Sequence, residues 1–127
     1  MAVNFNGESV FNLKPISISD VRSDVQRLFV AGEEIILAFK TVRDQLVFTN
    51  KRIISIDVQG ITGSRRSFSS MPYSKIQYFS IQTPGFAELI PDCELFLMFN
   101  NGFTAKFEFK GGVDIGRIGQ MISQYVL

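Results

Sequence analysis

The sequence predicts a mainly β chain in which seven antiparallel strands roll into a barrel, closed by a C-terminal helix and preceded by a short N-terminal helix. Three observations carry this. From Gly32 to Lys110 the apolar residues recur with period 2, the period of a pleated strand with one face buried. The runs are separated by turn chemistry such as Asn101-Gly102. After Gly111-Gly112 the period changes to that of a helix.

Residues 1–18 are uneven, with Asn4, Asn6, Gly7 and Pro15 interrupting Phe5, Phe11 and Leu13, and read as an irregular arm. From Ser19 onward Val21, Val25, Leu28 and Phe29 fall at i, i+4, i+7 and i+8, one face of a short helix. Ser19 would cap it, Asp20 would sit near its positive end, and Gly32 would stop it. Residues 1–31 are thus an arm and helix, and residues 32–127 the barrel, within one domain.

Seven strands are predicted: 34–40, 45–49, 52–58, 65–71, 76–82, 93–100 and 103–110. The last alternates most cleanly, with Phe103, Ala105, Phe107 and Phe109 on one face and Thr104, Lys106, Glu108 and Lys110 on the other. Asn101-Gly102 suits a type I′ turn, since both residues tolerate positive φ, and should join the last two strands. Asn50-Lys51 reads as another tight turn, and Gln59 to Gly63 as a longer one in which Gly60 and Gly63 take positive φ. The longest break, Thr83 to Asp92, with Pro84, Gly85 and Pro91, reads as a mobile loop. In the final helix Ile115, Ile118, Ile122 and Tyr125 form the apolar stripe that would plug one mouth of the barrel. Gly116 and Gly119 each weaken a helix by about 1 kcal/mol, and a close approach to the barrel is one reason to keep them.

A length of 127 residues holds one core and no second domain, and 46% hydrophobic with 20% charged residues describes a folded chain. Thirteen lysines and arginines against twelve acids leave a net charge of +1, so attraction to phosphate must be local rather than a whole-molecule field. The close run of Phe96, Phe99, Phe103, Phe107 and Phe109 lacks the basic groove of a nucleic-acid binder and reads as core. With one cysteine, Cys93, no internal disulfide can form, and a buried reduced thiol is expected. The chain contains no histidine, which removes the usual general base, the Ser-His and Cys-His nucleophile pairs and most transition-metal sites. Phosphate-cradling glycine motifs and calcium loops do not occur either. The expectation is therefore no catalytic residue, no cofactor, no metal and no small-molecule substrate. Neither a secretory start nor an apolar run near the ~20 residues that span a bilayer is visible, and a cytoplasmic location is expected.

One ordered series of residues resembles the bacterial pleckstrin-homology-like family. It comprises Gly32-Glu33-Glu34, Arg43-Asp44, Phe48 to Ile54, Ile56 to Gly60, Thr62-Gly63 and Pro72 to Ile76. The resemblance implies a non-catalytic binding and assembly domain, some members of which form closed homo-oligomeric rings that present a hydrophilic surface to protein partners. It makes Asp57 with Gln59 a candidate contact surface, and basic Lys51 and Arg52 and the ring of Tyr73, which faces the core or an interface, complete the candidate partner or oligomer surface. Eukaryotic pleckstrin-homology domains carry a lysine on the first strand followed by spaced basic residues; here Lys40 and Arg43 are the partial equivalent. They are the candidate contacts for an alternative role, peripheral binding to anionic lipid headgroups. Arg65 and Arg66, adjacent in a strand, point to opposite faces and cannot both join one patch.

Overall fold

The computed structural model describes residues 3–4, 7–83 and 92–127. In chain order the strands are β1 (Val3–Asn4), β2 (Gly7–Pro15), β3 (Ile35–Lys40), β4 (Gln45–Thr49), β5 (Arg52–Gln59), β6 (Arg65–Pro72), β7 (Ile76–Gln82), β8 (Cys93–Phe99) and β9 (Thr104–Phe109), followed by the helix α1 (Ile115–Val126). All seven expected strands are present, each end within one residue of the sequence reading. Backbone contacts group the chain into two compact units, Pro15–Pro72 and Met1–Lys14 with Tyr73–Leu127. The expected mobile loop lies outside the described residues over 84–91.

In the Pro15–Pro72 unit, β3 to β6 form an antiparallel meander, with Ala38 opposite Val47, Val47 opposite Ile54, and Ile54 opposite Ser70. β5 is buried from Ile53 through Val58, polar Ser55 and Asp57 included, as befits a strand covered on both faces. Val25, Val47, Ile54 and Ile56 make a fully buried cluster, against which Val21, Phe29, Ile35 and Phe68 pack. Val25 reaches it from a segment expected to be one helix. That expectation is corrected: two 3-10 turns, Ile18–Asp20 and Ser23–Leu28, are separated by Val21 and Arg22 in extended conformations. Ser17, not Ser19, precedes the first turn, and its hydroxyl bonds Asp20. Short polar side chains compete for local backbone groups and β-branched valines disfavour a helix, so the run does not propagate. Leu28, expected on the buried face, is exposed. Gly32 ends no helix; it takes φ +79° in the turn before β3.

In the other unit β2, β9, β8 and β7 lie side by side, with β1 on β2. The arm expected to be irregular is therefore corrected from Gly7 onward: β2 runs parallel to β9, Gly7 opposite Thr104 and Val10 opposite Phe107. The register slips between Val10 and Leu13, where Asn12 takes φ +62°. Asparagine tolerates that left-handed conformation, and a bulge there returns Leu13 to the buried face. The alternation of β8 and β9 buries Cys93, Leu95, Leu97, Phe99, Ala105, Phe107 and Phe109, while Phe103 remains half-buried. The turn between them is corrected as well. A type I′ turn needs positive φ at two successive residues, and here only Gly102 (φ +87°) has it. Gly102 N–H donates to the Phe99 carbonyl and Phe103 N–H to the Asn101 side chain.

Ile115, Ile118, Met121 and Ile122 bury the apolar stripe of α1, which packs on β7 and on the Tyr73–Lys75 turn. Tyr125 stacks on buried Tyr73, ring centroids 5.2 Å apart. Of the two helix glycines, one makes the expected close approach: a Cβ on Gly119 would lie 3.3 Å from Ile81 Cδ1, whereas Gly116 faces only Asp114 of its own cap. A closed barrel needs every strand paired on both edges. Among the described residues β6 is paired on one edge only, with β5, and β7 on one edge only, with β8, so the closed seven-strand barrel is corrected to an open sheet of more strands.

Candidate functional site

The five residues expected at a partner surface do not converge. Lys51 is exposed in the turn before β5, and Gln59 is exposed at the strand's far end. The strand between them spans roughly 25 Å at about 3.3 Å per residue. Arg52 is tied into a structural knot: its Nε and Nη2 donate to the two carboxylate oxygens of Glu33, each at 3.0 Å, its Nη1 to Ser70, and its Nη2 also to the Leu28 carbonyl. Thr49 Oγ1 and Val30 N–H donate to the same carboxylate, whose side chain is fully buried. Burial pushes the Glu33 carboxyl up, but the Arg52, Thr49 and Val30 hydrogen bonds and the guanidinium charge outweigh it and hold Glu33 below its ordinary value of 4.5. Asp57 is buried on β5 and accepts from Gln59 Nε2 at 3.1 Å. Tyr73 is 2% exposed, so its ring serves the core rather than the surface.

Lys40 and Arg43 also part company. Lys40 is exposed at the end of β3, opposite Gln45. Arg43 lies in the next turn, where Thr41 N–H donates to the Asp44 carbonyl and Asp44 N–H to Thr41 Oγ1. That turn is held to β5 by Asp44 Oδ1, which accepts from Val58 N–H at 2.9 Å, and by Arg43 Nη2 donating to the Gly60 carbonyl. Around Arg43 opens a surface depression of about 440 Å³ walled by Arg22, Arg43, Arg66 and Val58, with Val42 and Ile61 at its rim; Lys40 is not part of it. Gly60 (φ +82°) and Gly63 (φ +69°) take the positive φ that the turn reading expected, and Gly63 lines the depression.

Sequence reasoning missed Arg22 and placed Arg66 only by its strand face. Arg66 enters the depression and Arg65 does not, as their alternation requires. Arg22 is brought there by Gln45, which accepts from Arg22 N–H at 2.9 Å and donates to the Asp20 carbonyl at 3.1 Å. The available signal was Val42 and Ile61, two aliphatic residues in turn positions that are fully exposed. Arg66 pairs with Asp24 at 3.0 Å. Arg22 Nε is buried without a hydrogen-bond partner. Guanidinium forks bind anions, so this arrangement can recognise an anionic group.

Elsewhere Cys93 is buried, its thiol pushed up first by burial and then by Asp92, which leaves it unreactive. Among the described residues no cluster of three metal-ligating side chains occurs, and no helix is long and apolar enough to cross a membrane.

A family model described as a bacterial PH domain matches residues 4–126. Two uncharacterized proteins of Bacillus subtilis (strain 168) are similar to this chain. YjqA is 38% identical over 86 residues, 68% of this chain and 69% of the relative. YozO is 32% identical over 112 residues, 87% of this chain and 94% of the relative. A crystal structure of a pleckstrin-homology-domain protein from Shewanella loihica superposes with a TM-score of 0.77 at 32% identity, covering 93% of this chain and all of that one.

Proposed function

This chain belongs to the bacterial PH domain family, and from that premise we propose that it is a non-enzymatic, cytoplasmic protein-interaction module that self-assembles into a homo-oligomer and presents a hydrophilic surface to a protein partner. The observation that carries the assembly is the free edge of β7. Among the described residues β7 pairs only with β8, and it carries two large apolar residues that stay partly in solvent, Tyr78 (52% exposed, edge-on to Phe96) and Ile81 (39% exposed, against Gly119 of α1). A strand edge with uncovered apolar side chains is a template for pairing with another chain, and a second copy always supplies one. An interface that joins one copy's β7 edge to a different patch on the next is heterologous, and it closes into a ring when its rotation permits. Of the candidate surface residues, Lys51 and Gln59 are exposed and can meet a partner.

Light scattering after size exclusion tests the reading. The chain should elute as a defined species several-fold heavier than 14.3 kDa. Tyr78→Lys, which places a charge on β7 at a half-exposed position away from the Gly119 contact, should return it to the monomer mass. A wild-type monomer at high concentration would overturn the assembly.

A further inference from the structure

On the Pro15–Pro72 unit the arginine-walled depression adjoins the second free strand edge, because Arg66 belongs to β6. Three unsatisfied features meet there. Beyond β5, the backbone of β6 has no hydrogen-bond partner among the described residues. Arg43 is engaged by the Gly60 carbonyl and Arg66 by Asp24, but the Arg22 guanidinium has neither ion pair nor hydrogen bond among those residues, and its Nε is shut away from water. A desolvated guanidinium nitrogen without an acceptor is costly, which favours an occupant that supplies one. Val42 and Ile61, fully exposed on the two turns at the rim, waste apolar area in solvent.

Each feature fits one part of an extended acidic peptide. A strand edge takes peptide amides and carbonyls, a lone uncompensated guanidinium takes one carboxylate, and the aliphatic pair takes an apolar side chain one step along. A phosphate dianion would be matched by two free guanidinium groups, and a lipid headgroup would leave the strand edge unpaired. We propose that an acidic segment of a partner protein docks here in extended conformation, adding a strand to β6, setting a carboxylate on Arg22 and resting an aliphatic side chain on Val42 and Ile61. This rests on the reading of the chain as a protein-interaction module and names the chemistry of the partner.

The test is fluorescence anisotropy of the full chain with a short labelled peptide alternating valine and glutamate. Binding should be saturable and weaken with salt. It should fall at least about tenfold in Arg22→Gln, the loss expected for one charge-assisted hydrogen bond. Arg22 makes no side-chain bond within the described fold, so this variant should keep the wild-type circular dichroism and Tm. Two altered peptides work on the unmodified protein: lysine for glutamate, and N-methylation of alternate amides, which spares the charge and removes the ladder. Both should bind weakly. Absence of binding, or equal affinity of Arg22→Gln or of the methylated peptide, overturns the proposal. So does Arg22-dependent sedimentation with phosphatidylglycerol vesicles by a chain that ignores the peptide, which would make the depression a membrane contact. An oligomer that ignores the peptide removes this site and leaves the assembly standing, whereas a monomer that binds it does the reverse.

Discussion

Glu33 shows how a single charge is held in place at the residue scale. Its buried carboxylate accepts two bonds from Arg52, one from Thr49 at 2.7 Å and one from Val30 N–H at 3.1 Å, so both oxygens are satisfied. A carboxyl whose folded pKa lies below its unfolded value binds its proton less readily when folded, so it contributes stability above the unfolded value of 4.5 and loses it as pH falls through the lower folded value. Glu33→Gln leaves Arg52 without its counter-charge and should cost about 3 kcal/mol at pH 7, the range for breaking a buried pair. Urea titrations at pH 7 and pH 3 check this: the deficit should be larger at the first than at the second. An equal deficit at both would mean that Glu33 acts through packing alone. The ordered series Gly32-Glu33-Glu34 through Arg52 was legible as a family resemblance, yet the Glu33–Arg52 pairing was not, because it joins residues 19 apart through a turn whose path the strand pattern leaves open. Arg22 escaped for a related reason, since its position depends on Gln45 rather than on any period of its own.

At the scale of elements, the seven strands of the middle were legible because each alternates on its own and ends in a recognisable turn. β2 was not. Its buried residues include Val10 and Leu13, three apart across the Asn12 bulge, which erases the period of 2. Its partner β9 lies at the other end of the sequence, so no local signal announces the pairing. What fixes β2 is contact with that partner: a Cβ added at Gly7 would collide with the Thr104 carbonyl oxygen and hydroxyl. The carbonyl is backbone and cannot swing aside. Gly7→Ala should therefore displace the start of β2 and destabilise the fold by about 1–3 kcal/mol, the usual cost of overpacking. Hydrogen exchange should show lost protection along Gly7 to Val10 and in Thr104 to Phe107, with Gly102→Ala as a comparison that strains a turn without touching β2. Unchanged protection in Gly7→Ala would mean that β2 slides at no cost. The helical segment before β3 failed for the opposite reason: a period near 3.6 was present, but Ser, Asp and Val residues gave the backbone better local options than a continuous helix.

For the whole molecule, the proposed assembly has a thermodynamic consequence that composition alone does not give. With a net charge of +1, long-range repulsion between copies is weak, so short-range pairing along an uncovered apolar edge can dominate. If assembled copies dissociate as they unfold, mass action couples stability to concentration. A tenfold rise in protein adds about 0.7 kcal/mol per chain for a dimer and approaches 1.4 kcal/mol as the ring grows. For a chain of this size that corresponds to a Tm higher by roughly 3 °C or more. Calorimetry across a hundredfold range of concentration should show this slope in the wild type and a flat line in Tyr78→Lys. The variant's own Tm should match the wild type extrapolated to high dilution, because Tyr78 is 52% exposed and, unlike Ile81, does not touch α1 at Gly119. A flat line in the wild type, with light scattering still reporting a heavy species, would mean that the copies associate without β7 contributing to folding, and the edge would then lose its place in the assembly.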